Sequence, residues 1–160
     1  LAAAAVVNGE EPEIVENEEV MRLAGIDRDY VKEQAKEELL EIERRRRTYL
    51  KDRARVPIKD RTVVLVDDGI ATGTSIRAAI AALRRKGPKR LILAVPVAPI
   101  ETLQALRQEV DDVICPSTPE PFYAIGLHYG DFHQVSDGEV IQLLSDLAAM
   151  KAPARGPEQA

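Results

Sequence analysis

Val63-Val64-Leu65-Val66-Asp67-Asp68-Gly69-Ile70-Ala71-Thr72-Gly73-Thr74-Ser75 decides the reading of this 160-residue chain. Apolar residues run without a break into two carboxylates, then a short loop of glycines and hydroxyls, then a helical pattern from Ile76. That order describes a buried strand delivering a polar site to the carboxyl edge of a sheet, where open α/β folds bind ligands. Asp67 and Asp68 can accept hydrogen bonds from a vicinal diol. Ala71, Thr72, Gly73, Thr74 and Ser75 can turn backbone N–H groups and hydroxyls onto a phosphate at a helix start. Gly73 has no side chain to block that approach. A diol acceptor beside a phosphate cradle fits a ribose 5-phosphate.

Other readings of the segment are weaker. Gly69 and Gly73 lie too close together for a Walker A loop, and no Gly-Lys-Ser/Thr follows. The dinucleotide pattern G-x-G-x-x-G is absent. A phosphoacceptor receiver domain also ends its first strand in paired acids, but it needs another Asp at the end of a later strand. The later apolar runs end in Pro96-Val97-Ala98-Pro99 and Cys115-Pro116 instead. An ordinary strand-to-helix turn with solvated carboxylates is the plain alternative.

Val63 to Ser75 resembles the phosphoribosyl-pyrophosphate (PRPP) motif of the type I phosphoribosyltransferases. Val95 to Pro99, Thr118 to Phe122 and Asp131 to Asp137 are similar to a bacterial branch of that family, so the resemblance covers about residues 5 to 148. It implies an α/β, Rossmann-like type I phosphoribosyltransferase fold, a mostly parallel sheet with flanking helices. It also implies displacement of pyrophosphate from PRPP by a nitrogenous, nucleobase-like acceptor. Asp67 and Asp68 would hold the ribose hydroxyls near Mg²⁺, which touches them through hydroxyl or water because it keeps its own waters. Residues Ala71 to Ser75 would hold the 5-phosphate, and a homodimer is the expected assembly. Several 6-oxopurine enzymes of the family carry an Asp where this chain has Ala71, so no general base is visible in the motif. Adenine-like, orotate-like and other acceptors stay open. So does a non-catalytic PRPP or nucleotide sensor of the same fold, as does a structural remnant completed by another segment or chain.

Bulk properties bound the answer. A chain of this length fits one domain, and 45% hydrophobic with 31% charged residues is ordinary globular composition. The net charge of −5 gives no global attraction for nucleic acid or an anionic membrane, so neither is an expected partner. The single cysteine, Cys115, cannot form an internal disulfide, reads as a buried structural thiol and fits a reducing cytoplasm. No apolar stretch approaches the ~20 residues that span a bilayer. The expected organisation is a domain over 1-150 that begins inside the family pattern, before which relatives place a strand, a helix and a pyrophosphate loop, and a disordered tail over 151-160.

Outward from the motif, Leu1 to Val7 and Glu13 to Val15 read as strands around an Asn8 to Pro12 turn. Asn17 can cap a short helix that Gly25 stops. Asp27 or Asp29 starts a long helix to about Leu50, with Val31, Ala35, Leu39, Ile42 and Tyr49 as its apolar stripe. Arg44 to Arg47, Lys51, Arg53, Arg55 and Lys59 form a basic cluster, read either as a mobile flap over pyrophosphate or as a solvated helix end. After Ser75 the pattern reads as a doubly wound unit: a helix ended by Lys86-Gly87-Pro88, a strand from Leu91 to Val97 covered on both faces, a helix from Pro99 to about Glu109, and a strand from Asp112 to Cys115. Ser136 to Glu139 forms a capping box for a last helix with Val140, Leu143, Leu144 and Leu147 inward. Between them, residues 116 to 135 hold much of the aromatic content. Phe122 and Tyr123 are the candidates for an acceptor wall, and anchoring of a long loop is the plainer alternative. His128 and His133 lack the further ligands of a zinc site.

Overall fold

The computed structural model describes residues 4–7, 13–16, 18–51 and 56–151. The expected Asn8 to Pro12 turn, the Asn17 cap, Arg53, Arg55 and nearly all of the expected tail lie outside them. Strands β1 (Ala4–Val7) and β2 (Glu13–Glu16) pair antiparallel, Ala4 opposite Glu16. Helix α1 (Glu18–Ala24) ends at Gly25, whose φ of 64° lets the Ile26 N–H reach back to the Met21 carbonyl at 2.9 Å. Helix α2 (Arg28–Leu50) starts on Asp27, whose carboxylate accepts from the Asp29 N–H. Val31 and Ala35 are buried and Leu39, Ile42 and Tyr49 half-buried, the stripe expected from the spacing.

The site is carried by a three-stranded parallel sheet in the order β3 (Thr62–Val66), β4 (Arg90–Ala94), β5 (Asp112–Ile114). Val63 stands opposite Leu91 and Leu65 opposite Leu93, while Leu93 faces Val113 across the next ladder. Helices α3 (Thr74–Arg85) and α4 (Ile100–Leu106) make the two crossovers. Their side chains Ile76, Ile80, Leu103 and Leu106 join Leu91, Leu93, Val95 and Ile70 in the core, with Val63, Leu65 and Val113 packed against it. Leu91 and Leu93 are 0% exposed. Each such buried side chain contributes about 1.5–3 kcal/mol through loss of water contact.

Three expectations change here. The unit is wound in one direction: β3, β4 and β5 follow each other across the sheet, and right-handed crossovers then place α3 and α4 on the same face. The strands are therefore not covered equally, since Val64 and Val66 on the other face are 52% and 68% exposed. Cys115 is half-buried rather than buried, because the strand ends at Ile114 and its thiol donates to the Ser117 carbonyl at 3.2 Å.

Helix α5 (Asp137–Lys151) begins with the expected capping box. The Ser136 hydroxyl accepts from the Glu139 N–H at 3.4 Å, and the Glu139 carboxylate accepts from the Ser136 N–H at 2.8 Å. Its inward face is narrower than expected: Val140 and Leu144 are half-buried, but Leu143 and Leu147 are 60% and 54% exposed. The helix packs on α2, where Asp137 accepts from Arg44 at 2.8 Å and from the Tyr49 hydroxyl at 2.6 Å.

Candidate functional site

The β3 ladder ends at Val66, and the next two residues bring their carboxylates to the carboxyl edge of the sheet. Both Asp67 and Asp68 are exposed, and among the described residues neither is drawn into an ion pair. The Asp67 carboxylate accepts from the Asp68 N–H at 3.0 Å. Partial burial pushes the Asp67 carboxyl above its ordinary range; the Asp68 N–H opposes that shift and the neighbouring Asp68 charge adds to it. Two acceptors presented side by side, with no cation among the described residues paired to them, are open to a diol.

Gly69 then turns the chain inward, and its lack of a side chain is a packing requirement. A Cβ there would stand 2.7 Å from Ile125 Cγ2 and 3.0 Å from Val97 Cγ1. Ile70 follows as a core residue, 2% exposed, with its N–H held by the Val97 carbonyl at 3.0 Å. Ala71 and Thr72 return to the surface, where the Thr102 hydroxyl donates to the Ala71 carbonyl at 3.0 Å. Gly73 caps α3 from the left-handed region, φ 76°, and offers no side-chain cap. The first N–H groups of α3 therefore keep no side-chain cap from this residue and point, with the positive end of the helix dipole, toward the loop. Thr72 and Thr74 stand with their hydroxyl oxygens 3.4 Å apart.

These groups surround a cavity of about 250 Å³ lined by residues 67–76 and by Ile125. All seven motif residues expected to meet a phosphorylated ribose line it: Asp67, Asp68, Ala71, Thr72, Gly73, Thr74 and Ser75. A larger depression of about 360 Å³ lies at the α1–α2 junction, but its polar groups are spent on structure, Arg28 being paired with Glu18 at 2.8 Å.

Phe122 and Tyr123 are not brought into that cavity. Phe122 stacks on His128 with ring centroids 5.4 Å apart, and Tyr123 is 78% exposed. The link after β5 reaches the site differently, through a 3₁₀ turn at Ile125–His128. Ile125 forms the wall opposite Gly69, and the Tyr129 hydroxyl donates to the Asp68 carbonyl. Sequence reasoning missed both roles, since neither residue carries a periodicity or motif signal and their approach depends on how the link folds back. His133 is spoken for, with its ring nitrogens 3.0 Å from Asp131 and 3.2 Å from Glu139. Among the described residues no cluster of three His, Cys, Asp or Glu side chains could cage a metal.

The basic cluster does not read as a flap over its helical half. Arg44 to Arg47 lie within α2, where Arg44 and Arg45 pair with Glu41 at 2.7 Å and Arg47 with Glu43 at 3.2 Å. Glu41 is held down to about 2 by those arginines, hydrogen bonds from Arg44 leading.

Comparison with known proteins gives the class. Residues 17–129 match the phosphoribosyl transferase domain family, and the chain belongs to it. A protein of Mycobacterium tuberculosis H37Rv named "Putative phosphoribosyl transferase", and its counterpart in strain CDC 1551, are each 36% identical to it over 136 residues. That match takes in 85% of this chain and 31% of each relative, so the chain spans about a third of the length of those relatives. The crystal structure of TT1426 from Thermus thermophilus superposes with a TM-score of 0.65 at 36% identity, over 84% of this chain and 63% of that one. Fold and family are thereby established together. Among the described residues no helix is long and apolar enough to cross a membrane.

Proposed function

We propose that this chain binds PRPP at residues 67–75 and serves transfer of its phosphoribosyl group to a nitrogenous, nucleobase-like acceptor, with release of pyrophosphate and dependence on Mg²⁺. One observation carries the reading: two exposed carboxylates, in no ion pair among the described residues, and the glycine-capped start of a 12-residue helix share a single cavity. The carboxylates suit the 2- and 3-hydroxyls of a ribose. The amides and hydroxyls of residues 71–75 suit its 5-phosphate.

Such a transfer passes through an oxocarbenium-like state, so the protein's work is holding the sugar in line and stabilising charge rather than forming a covalent bond. Asp67 and Asp68 fix the ring and set negative charge beside the developing cation at C1. Exposed carboxylates with no ion-pair partner among the described residues also fit magnesium contacts made through ribose hydroxyls or water, the ion favouring oxygen donors and its own hydration shell. Bound there, magnesium would supply neutralisation of the departing pyrophosphate. Ala71 offers no proton-transfer group, so the acceptor's proton must leave by another residue or to water.

Calorimetry with Mg²⁺ and PRPP, followed by a pyrophosphate-release assay against a panel of bases, tests the reading. Binding with release for one base supports transfer, and binding without release for any base marks a sensor. No binding at all defeats the assignment of the site.

A further inference from the structure

We propose that Tyr129 is a positioning residue for the diol-binding turn, and this rests on the PRPP reading of residues 67–75. The peptide that carries Asp68 is held at both ends. Its N–H donates to the Asp67 carboxylate at 3.0 Å, and its carbonyl accepts the Tyr129 hydroxyl. Neither bond uses the Asp68 carboxylate, which stays free to accept from a ligand. Rotation of the Asp68 backbone would swing that carboxylate and the following Gly69 N–H away together, and the phenol opposes it.

The phenol is itself seated by a small packing unit. Tyr129 lies 5.0 Å from Phe132 between ring centroids, tilted by 43°. Phe132 in turn closes on Gly126, where a Cβ would stand 2.8 Å from its ring. One residue before Gly126, Ile125 presses on Gly69. The segment 125–132 therefore grips the turn at two points, by apolar contact at Gly69 and by a hydrogen bond at Asp68. Tyr129 is half-buried and absent from the core cluster, so loss of its hydroxyl acts on the turn rather than on the sheet.

Tyr129→Phe deletes the donor and keeps the ring on Phe132. A neutral hydrogen bond contributes on the order of 0.5–1.5 kcal/mol, which corresponds to a roughly 2- to 13-fold change in affinity. The expected result on the full 160-residue chain is Mg²⁺–PRPP affinity weakened by about 3- to 10-fold, with the melting midpoint lowered by no more than roughly 6 °C. In the absence of ligand, amide exchange at Gly69 and Ile70 should speed up while exchange in β4 stays as it was. Phe132→Leu, which loosens the seat and keeps the hydroxyl, should give a smaller affinity loss. Affinity within experimental error of the parent overturns the proposal, as does faster exchange spread evenly over the sheet. Should the parent chain bind no PRPP, the functional reading falls but this one is still decided: selective exchange at residues 69–70 supports it, and unchanged exchange there ends it.

Discussion

Asp67, Asp68, Gly69 and Gly73 each do a different physical job within seven residues. Replacing Asp67 or Asp68 by Asn removes a charged acceptor and should weaken PRPP binding by about 1.5–3 kcal/mol each, measured calorimetrically at fixed Mg²⁺. Because partial burial raises the Asp67 pKa, binding should begin to fall at a higher pH on acidification than an ordinary aspartate would give. Gly69→Ala drives a methyl against Ile125 and Val97, and overpacking of this kind costs about 1–3 kcal/mol. Removing the obstacle in the double variant Gly69→Ala/Ile125→Ala should recover part of that loss in urea midpoints; strict additivity of the two single changes would show that the contact does not limit the turn.

At the scale of elements, the N-terminus of α5 and the link before it are joined by one imidazole. Glu139 is lowered to about 2, chiefly by the Ser136 hydroxyl, then the Ser136 N–H and His133. His133 is raised above its ordinary 6.5 by Asp131 and then Glu139. Folding thus favours the protonated ring, whose contribution is full below about 6.5 and is lost as pH rises through the higher folded value. Glu139 behaves oppositely, contributing fully above its ordinary 4.5 and less as pH falls toward about 2. The clamp is therefore tightest between 4.5 and 6.5. Amide exchange at residues 138–140 followed against pH should show this window, and His133→Gln should remove its alkaline limb only. The capping box itself was legible, since Ser and Glu at that spacing satisfy each other's amides. The His133 bridge was not, because Asp131 and Glu139 face one ring only after the link has folded.

For the molecule as a whole, the load is carried by one covered sheet face. Leu106→Ala, at a side chain 0% exposed, should cost about 2–5 kcal/mol in denaturant unfolding. Leu147→Ala, at a side chain 54% exposed, should stay within about 0.5 kcal/mol. Equal losses at both positions would mean that α5 is packed as its apolar spacing first implied. The unequal coverage also explains why the apolar run from Leu91 to Val97 misleads. Leu91, Leu93 and Val95 are buried by α3 and α4, whereas Ile92 and Ala94 remain half-buried on the opposite side. A run of apolar residues specifies a strand, but not which helices reach it.

The chain's own order of residues settled the strand–turn–helix at Val63 to Ser75, a helix start at Asp27 or Asp29, the capping box at Ser136, and the family, because these depend on neighbours a few positions apart. Tertiary structure alone decided that Ile125 and Tyr129, not Phe122 and Tyr123, meet the motif. It also decided that two crossovers share one face of the sheet. Contacts between residues some sixty positions apart are set by the path of the chain, and no local pattern of side chains encodes that path.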